Sequence, residues 1–367
     1  MAVDFVTNQE IILEARRNLD QGAWDYLVGG SESETTMRRN RMGFDCLAFK
    51  PRVLRDVSEV DASTTLLGHP LRIPVVLSPM GSIILFSPEG ALPSARAAEA
   101  FGTIHVVSSG AEPGLERIGS STKAPKIFQL NATADLEAAK EKIEGAAKAG
   151  YVALAWTVDH AASGRRERPM LGRTKSNAME RFRAKDKKSR PNWRAMATWE
   201  TLDRVKEMAG RAGLPFLVKG IATAADAALA VEHGVDVVWV SNHGGRNLDH
   251  GRGTIEVLPE VVEAVAGRAA VVLDGGIQRG SDVLKAIALG ATAVGIGKLQ
   301  GFGIGAAGAE GVFRVLEILE DEIEITMAFL GVNRIDQLGP EYLCEAKPVT
   351  FPHEMSQFVN LVEGQIR

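Results

Sequence analysis

The run Val235-Asp236-Val237-Val238-Trp239-Val240-Ser241-Asn242-His243-Gly244-Gly245-Arg246-Asn247-Leu248-Asp249 carries the first decision about this chain. Apart from Asp236, its first six residues are apolar, four of them β-branched valines, in the way of a strand buried on both faces, the pattern of parallel sheets. Polar and glycine residues follow at once, so His243 and Arg246 sit where the chain leaves the strand at its C-terminal end. Two adjacent glycines let the backbone turn sharply and come close to a ligand. A histidine can take a proton near neutral pH, and an arginine can hold a carboxylate by two parallel hydrogen bonds. In α/β barrels the chemistry is done at that end of the strands. The competing reading of this stretch alone is a glycine turn with a surface histidine and arginine.

Outward from it, the same rhythm of apolar run, polar loop and helical segment repeats from Ile73. Strands are predicted at Pro74–Pro79, Thr103–Ser108, Lys126–Leu130, Val152–Val158, Pro215–Lys219, Val235–Val240, Ala270–Leu273 and Thr292–Ile296. Helices are predicted at Glu89–Phe101, Asp135–Ala149, Trp199–Ala212, Ala224–Gly234, Thr254–Ala266 and Ser281–Gly290, while Pro113–Ser120 is short for a helix. Eight such units close an α/β (β/α)8 TIM barrel. The rival, a doubly wound open sheet, lacks its usual Gly-x-Gly-x-x-Gly after the first strand. We therefore expect one domain over residues 1–367, with an N-terminal helical cap in 1–70. That cap holds helices over residues 8–19, around Trp24–Leu27 and over Glu34–Asp45. A long helical region, Ala307–Leu330, precedes a C-terminal extension, 331–367, whose piece His353–Val362 is expected to pack on a neighbouring surface.

One connection is out of proportion. Residues 160–198, between strand four and the next helix, far exceed an ordinary βα loop. Within it Arg173 to Arg194 holds nine Lys or Arg against Glu180 and Asp186. It reads as a mobile, solvated lid over the barrel mouth, with a patch for an anionic partner as the alternative.

The 367 residues are 45% hydrophobic and 24% charged, with formal net charge −4, which points away from nucleic-acid and stable membrane partners. The two cysteines, Cys46 and Cys344, have no metal-like spacing, and no metal site is expected. The start of the chain lacks the apolar core of a signal peptide, no apolar run approaches spanning length, and the final Gly-Gln-Ile-Arg is no peroxisomal address. A reduced, cytoplasmic protein is the expectation.

Polar groups at successive strand ends assemble a site. Strand one ends at Pro79-Met80-Gly81-Ser82, strand two at Ser108-Ser109-Gly110, and strand three brings Gln129 and Asn131. Strand four offers Thr157 and Asp159, then Gly164-Arg165-Arg166. Lys219 stands in the apolar run of strand five and needs an anionic or electron-rich partner, since a buried unpaired ammonium is costly. Strand six gives Ser241, His243 and Arg246. Strand seven ends in Asp274-Gly275-Gly276, with Gln278 and Arg279 beyond, and strand eight in Gly297-Lys298. Glycine-rich loops after strands seven and eight are the recurring phosphate site of such barrels. The rim thus suggests a phosphorylated cofactor across the mouth and a small acid above it. Asp159 would orient His243, and Arg246 with Arg166 would fix the carboxylate.

These residues resemble the FMN-dependent 2-hydroxy-acid oxidases and dehydrogenases, which include glycolate oxidase, lactate oxidase and mandelate dehydrogenase. The match is carried by Ala23-Trp24-Asp25-Tyr26 with Gly29, Pro88-Glu89-Gly90, Phe128-Gln129-Leu130, Thr157-Val158-Asp159, Gly164-Arg165-Arg166-Glu167, Leu217-Val218-Lys219-Gly220, Ser241–Asp249 and Asp274–Gly280. The resemblance implies FMN as cofactor and a 2-hydroxy acid as substrate. Oxygen or a separate electron carrier would re-oxidise the flavin, and a homotetramer is the usual assembly. It makes His243 the base with Asp159 as its partner, Arg166 and Arg246 the carboxylate ligands, and Tyr26 a hydrogen-bonding group to substrate. Lys219 would lie beside the flavin N1–C2=O edge. Pro79, Met80, Gly81, Ser108, Gln129, Thr157 and Ser241 fall at flavin positions, and Asp274, Gly275, Gly276, Gln278, Arg279, Gly297 and Lys298 in the ribityl and phosphate region.

Departures from the family pattern carry information. Asn131 stands where a second active-site tyrosine is usual, and Gly110 where glycolate oxidase has a tryptophan. With Ile83-Ile84-Leu85-Phe86 nearby, these imply a bulky, aryl or long-chain substrate, with glycolate or lactate, or another reaction on the same barrel, as alternatives. Gln278 and Lys298 replace usual arginines, which implies looser hold on the phosphate. Gly81, where several oxidases carry alanine, leans toward a dehydrogenase.

Overall fold

The structure is a computed structural model, describing residues 3–172, 192–349, 355, 357 and 358. Eight strands, β1 Val75–Leu77, β2 His105–Ser108, β3 Lys126–Asn131, β4 Ala153–Thr157, β5 Phe216–Ile221, β6 Val237–Val240, β7 Ala270–Asp274 and β8 Ala293–Ile296, pair in parallel. They close into a barrel in sequence order. Helices follow on the outside, so both faces of each strand are covered and near-continuous apolar runs such as Val237–Val240 are the outcome.

Alternation splits the buried residues into two cores. Val76, Val106, Ile127, Leu217, Val237, Trp239 and Val272 point into the barrel, while neighbours such as Val75, Leu77, Val107, Val238 and Leu273 pack against helices. The N-terminal end of the barrel is stoppered by an antiparallel hairpin, Thr64–Leu66 with His69–Leu71, whose Leu66 and Leu71 join the inner core. Burying each leucine contributes on the order of 1.5–3 kcal/mol.

The register sets the rim. Ser108 pairs with Gln129, Asn131 with Thr157, Thr157 with Lys219 and Asp274 with Gly295, so chemistry-bearing side chains come out side by side at one end. The cap crosses that end as three helices, α1 Asn8–Asn18, α2 Gln21–Val28 and α3 Thr35–Asp45. Helix α1 begins with a Thr7/Glu10 capping box, and the Asp20 side chain caps α2 through the Ala23 N–H at 2.7 Å. The start of α3 is tied to the loop after β6: the Thr36 N–H and the Ser33 hydroxyl each donate to Asp249 at 2.7 Å.

The prediction differs in places. The last long helix runs Lys298–Leu330, with non-helical backbone at Ala307 and Gly308, and so starts nine residues before the expected Ala307. Its first stretch is glycine-rich, and propensity argues against a helix there. Packing overrides it: a Cβ at Gly301 would stand 2.4 Å from Leu27, and one at Gly305 2.9 Å from Leu19. The expected Glu89–Phe101 helix is Leu92–Phe101, delayed to the turn that carries Pro93. A short helix Leu115–Gly119 follows β2 after all. Two pairings were not anticipated, the hairpin above and Leu47–Phe49 with Leu343–Glu345, because three-residue strands leave almost no periodic signal. Of the expected lid, residues 173–191 lie outside the described residues; its flanks include the helix Glu167–Leu171. Of the tail piece, Met355 and Phe358 are buried against the core and the rest, apart from Gln357, lies outside the described residues.

Candidate active site

A cavity of about 750 Å³ opens at the C-terminal ends of the strands, within the size range of small-molecule sites. Of the residues expected to act on substrate or hold the cofactor, eighteen line it: Tyr26, Pro79, Met80, Gly81, Ser108, Gln129, Asn131, Thr157, Arg166, Lys219, His243, Arg246, Asp274, Gly275, Gly276, Gln278, Gly297 and Lys298. Asp159 and Ser241 stand just behind the wall, each bonded to a residue that forms it. Arg279 is the exception. Its guanidinium turns away to Glu322 at 2.7 Å and to the Gln357 carbonyl at 2.7 Å, and it lies over the Phe358 ring. Its backbone N–H goes to Asp282, so nothing of Arg279 is presented to the cavity by these bonds.

His243 leaves β6 in a short 3-10 turn with φ +58°, a left-handed conformation that costs a non-glycine residue roughly 1–2 kcal/mol. Strain of this kind persists only where neighbours over-determine it. Here the His243 N–H donates to the Ser241 hydroxyl at 3.1 Å, and the Nδ1 is 3.0 Å from Asp159 Oδ1. With Nδ1 committed to the carboxylate, Nε2 is the nitrogen left for a substrate proton. Burial raises the Asp159 carboxyl, but His243, Lys219 and His160 outweigh it and hold the group below the usual carboxylate range. An ionised Asp159 in turn stabilises an imidazolium at His243.

Opposite the imidazole, Tyr26 is flanked by two guanidinium groups, Arg246 at 4.6 Å and Arg166 at 5.7 Å from the ring centroid. Arg246 Nη1 donates to the carbonyls of Tyr26 (2.7 Å) and Gly29 (2.8 Å), and Arg166 Nε donates to the Arg246 carbonyl at 3.1 Å. Neither pairs with a carboxylate among the described residues, so two adjacent positive charges face the cavity, whose lining Asp274 is taken up by Lys219. Burial lowers the Arg166 guanidinium and Arg246 adds to it, to about 10, so it stays charged near neutrality. Burial raises the Tyr26 phenol, but Arg246, Arg166 and a bond from Ser82 win and bring it down to about 8.

Lys219 has the partners its burial demands: Asp274 Oδ2 at 2.7 Å, the Ser241 hydroxyl at 2.6 Å, and the Trp239 ring beneath. Ser241 in turn donates to Asp274 Oδ1 at 2.5 Å. Beside it the Gln129 amide donates to Thr157 and Asn131 at 2.9 and 3.1 Å. An amide, a hydroxyl and an ammonium on adjacent strands form a donor set suited to the polar edge of a flavin ring, with the small residues Pro79, Gly81 and Ser108 leaving room for its plane. Gly275 and Gly276, both at positive φ, and Gly297-Lys298 at the uncapped start of the last helix suit a phosphate. These residues fit FMN.

Two residues in the site escaped the sequence reading. His160, next to Asp159, has its ring 5.5 Å from that of His243, and Arg194 Nη1 is 3.4 Å from its Nε2. Burial, then His243 and Arg194, lower the His160 imidazole to about 4, so it stands as a neutral neighbour of the base. A polar residue directly after a strand-end aspartate was the available signal. Arg194, across the long connection, had none.

Comparison with known proteins agrees with this geometry. The family described as FMN-dependent dehydrogenase matches residues 15–345. A peroxisomal (S)-2-hydroxyacid oxidase of Arabidopsis thaliana is 39% identical over 350 residues, 92% of this chain and 96% of that protein. The glycolate oxidase of Spinacia oleracea is 37% identical over 356 residues, 94% and 96%. Among solved structures, mandelate oxidase with (S)-2-phenylpropionate superposes with a TM-score of 0.83 at 33% identity, covering 94% of this chain and all of that one. With rim, donor set and matched length in agreement, the chain belongs to the family of FMN-dependent dehydrogenases that oxidise 2-hydroxy acids.

Proposed function

We propose that this enzyme oxidises bulky, aryl or long-chain 2-hydroxy acids to the 2-oxo acids, with His243 as the base. Arg246 and Arg166 hold the carboxylate, Tyr26 hydrogen-bonds the substrate, and the imidazole Nε2 removes a substrate proton while Asp159 balances the charge that appears on the ring. FMN, when bound, accepts the two electrons that leave the α-carbon. Lys219, held by Asp274, offers positive charge at the edge where negative charge grows on reduction.

The observation that carries the size preference is the opening at Gly110. A Cβ built there meets nothing closer than 3.9 Å, while Ile84, Leu85 and Phe86 give the same part of the cavity an apolar wall. Sequence identity favours a second reading, because glycolate oxidases are among the relatives at 37–39%. Steady-state kinetics on glycolate, lactate and mandelate separate the two, and a clear preference for glycolate refutes ours. Filling the opening with Gly110→Trp should cut kcat/KM for mandelate by at least ~10-fold and leave glycolate nearly unaffected.

A further inference from the structure

The turn that joins α2 to α3 touches both loops that carry the guanidinium pair. The Ser31 N–H donates to the Gly245 carbonyl at 2.9 Å, next to Arg246, and the Glu32 N–H to the Arg165 carbonyl at 2.7 Å, next to Arg166. Three residues on, the Glu34 carboxylate takes Arg168 in two parallel bonds, Nε to Oε1 at 2.7 Å and Nη2 to Oε2 at 2.6 Å. Glu34 Oε1 also accepts the Gly30 N–H at 3.0 Å. Forked pairing of this kind fixes direction as well as distance. Arg168 sits two residues after Arg166, on the short helix Glu167–Leu171. The two loops already press together: a Cβ at Gly164 would lie 2.2 Å from both the Arg246 carbonyl oxygen and the Ser31 hydroxyl.

This turn is strained, with φ +45° at Glu32 and +59° at Glu34, both non-glycine residues. The ion pair is largely sheltered, its side chains 14% and 32% exposed, yet neither Glu34 nor Arg168 lines the cavity. Burial raises the Glu34 carboxyl, but Arg168, the Gly30 N–H and Lys298 overcome this and keep it ionised.

We propose that the Glu34–Arg168 pair is a clasp that sets the placement of Arg166 against Arg246, and so the affinity for the substrate carboxylate, without touching the substrate. Glu34 and Arg168 are then positioning residues, and the cap that carries Tyr26 also tunes the two arginines it lies between. The inference rests on the proposed role of that arginine pair as carboxylate ligands.

The test uses FMN-loaded enzyme in four forms: wild type, Glu34→Gln, Arg168→Gln and the reversed pair Glu34→Arg/Arg168→Glu. Three quantities are read: KM and kcat on the best 2-hydroxy acid, the dissociation constant of phenylacetate from the flavin spectrum, and FMN affinity. Each single variant should raise KM and the phenylacetate constant ~10-fold, as expected when a binding group is displaced by a fraction of an ångström. The kcat and FMN affinity should change less than about twofold, and the reversed pair should recover much of the loss. Single variants with unchanged KM and phenylacetate binding overturn the clasp. So do variants in which KM, kcat, flavin affinity and melting temperature all move together. Arg246→Lys tests the underlying reading separately, by loss of phenylacetate binding. A wild type that neither turns over a 2-hydroxy acid nor binds phenylacetate removes both.

Discussion

Tyr26 is the residue where charge and function meet most directly. Its phenol, drawn down to about 8 by two guanidinium groups, ionises closer to neutrality than an ordinary tyrosine. Above that pH a phenolate occupies the arginines and repels an incoming carboxylate. A bound carboxylate offsets the arginine charge and pushes the phenol back up, so binding takes up a proton and weakens as pH rises. We expect kcat/KM to fall as pH passes about 8 while kcat stays level, and Tyr26→Phe to abolish that fall. A wild-type profile flat through that range contradicts the expectation. Single residues of this type were legible early: Tyr26, His243, Arg246 and Lys219 announce themselves by chemistry at a strand end or in a motif. Arg279 was misplaced because a glycine-rich loop identifies a phosphate region without revealing which way a long side chain turns. The ion pair with Glu322, forty-three residues downstream, decided it.

The element that most needs explanation is the N-terminal cap, whose three helices are tied to the barrel by buried apolar residues and by specific bonds. Asp249 anchors the start of α3. Burial raises its carboxyl, but N–H groups of Thr36, His250 and Thr35 and the Ser33 hydroxyl hold it well below the usual carboxylate range. A depressed carboxyl contributes stability in full above its unfolded value and loses it as pH falls through the folded one. Asp249→Asn should therefore cost about 1–3 kcal/mol at neutral pH, with the difference from wild type shrinking below about pH 4. Denaturant melts of both proteins at pH 7 and pH 2.5 measure it; an equal difference at both rules out the anchor. Strands and helices of the barrel were legible because apolar period and glycine punctuation agree there. The hairpin Thr64–Leu71 and the first turns of Lys298–Leu330 were not, since their structure comes from what they pack against rather than from their own sequence.

At the scale of the whole molecule, distant parts of the chain converge on the end of the cavity near Gly275-Gly276 and Lys298. From the cap, Arg41 donates to the Gly276 carbonyl at 2.7 Å and takes Asp282 in a buried forked pair at 2.7 and 2.8 Å. From the tail, Met355 and Phe358 line the cavity, and the Gln357 amide reaches Asp45 at 2.9 Å. Phe358→Ala should remove on the order of 3 kcal/mol of packing. The loss falls where Phe358 packs against the core and lines the cavity. The FMN dissociation constant should rise and the melting temperature of flavin-free protein fall by a few degrees; unchanged flavin affinity would show the tail to be irrelevant. The barrel's closure could be foreseen from eight repeating units, whereas this convergence could not, because nothing local in residues 41, 276 and 358 refers to the others. It has a temporal corollary for a protein made from one end to the other. A nascent chain can close its ring of strands soon after residue 296 emerges, yet the cavity lacks part of its wall until residue 358 does. Closing the barrel and completing the cavity wall are thus separate events along the chain, the second waiting on residue 358.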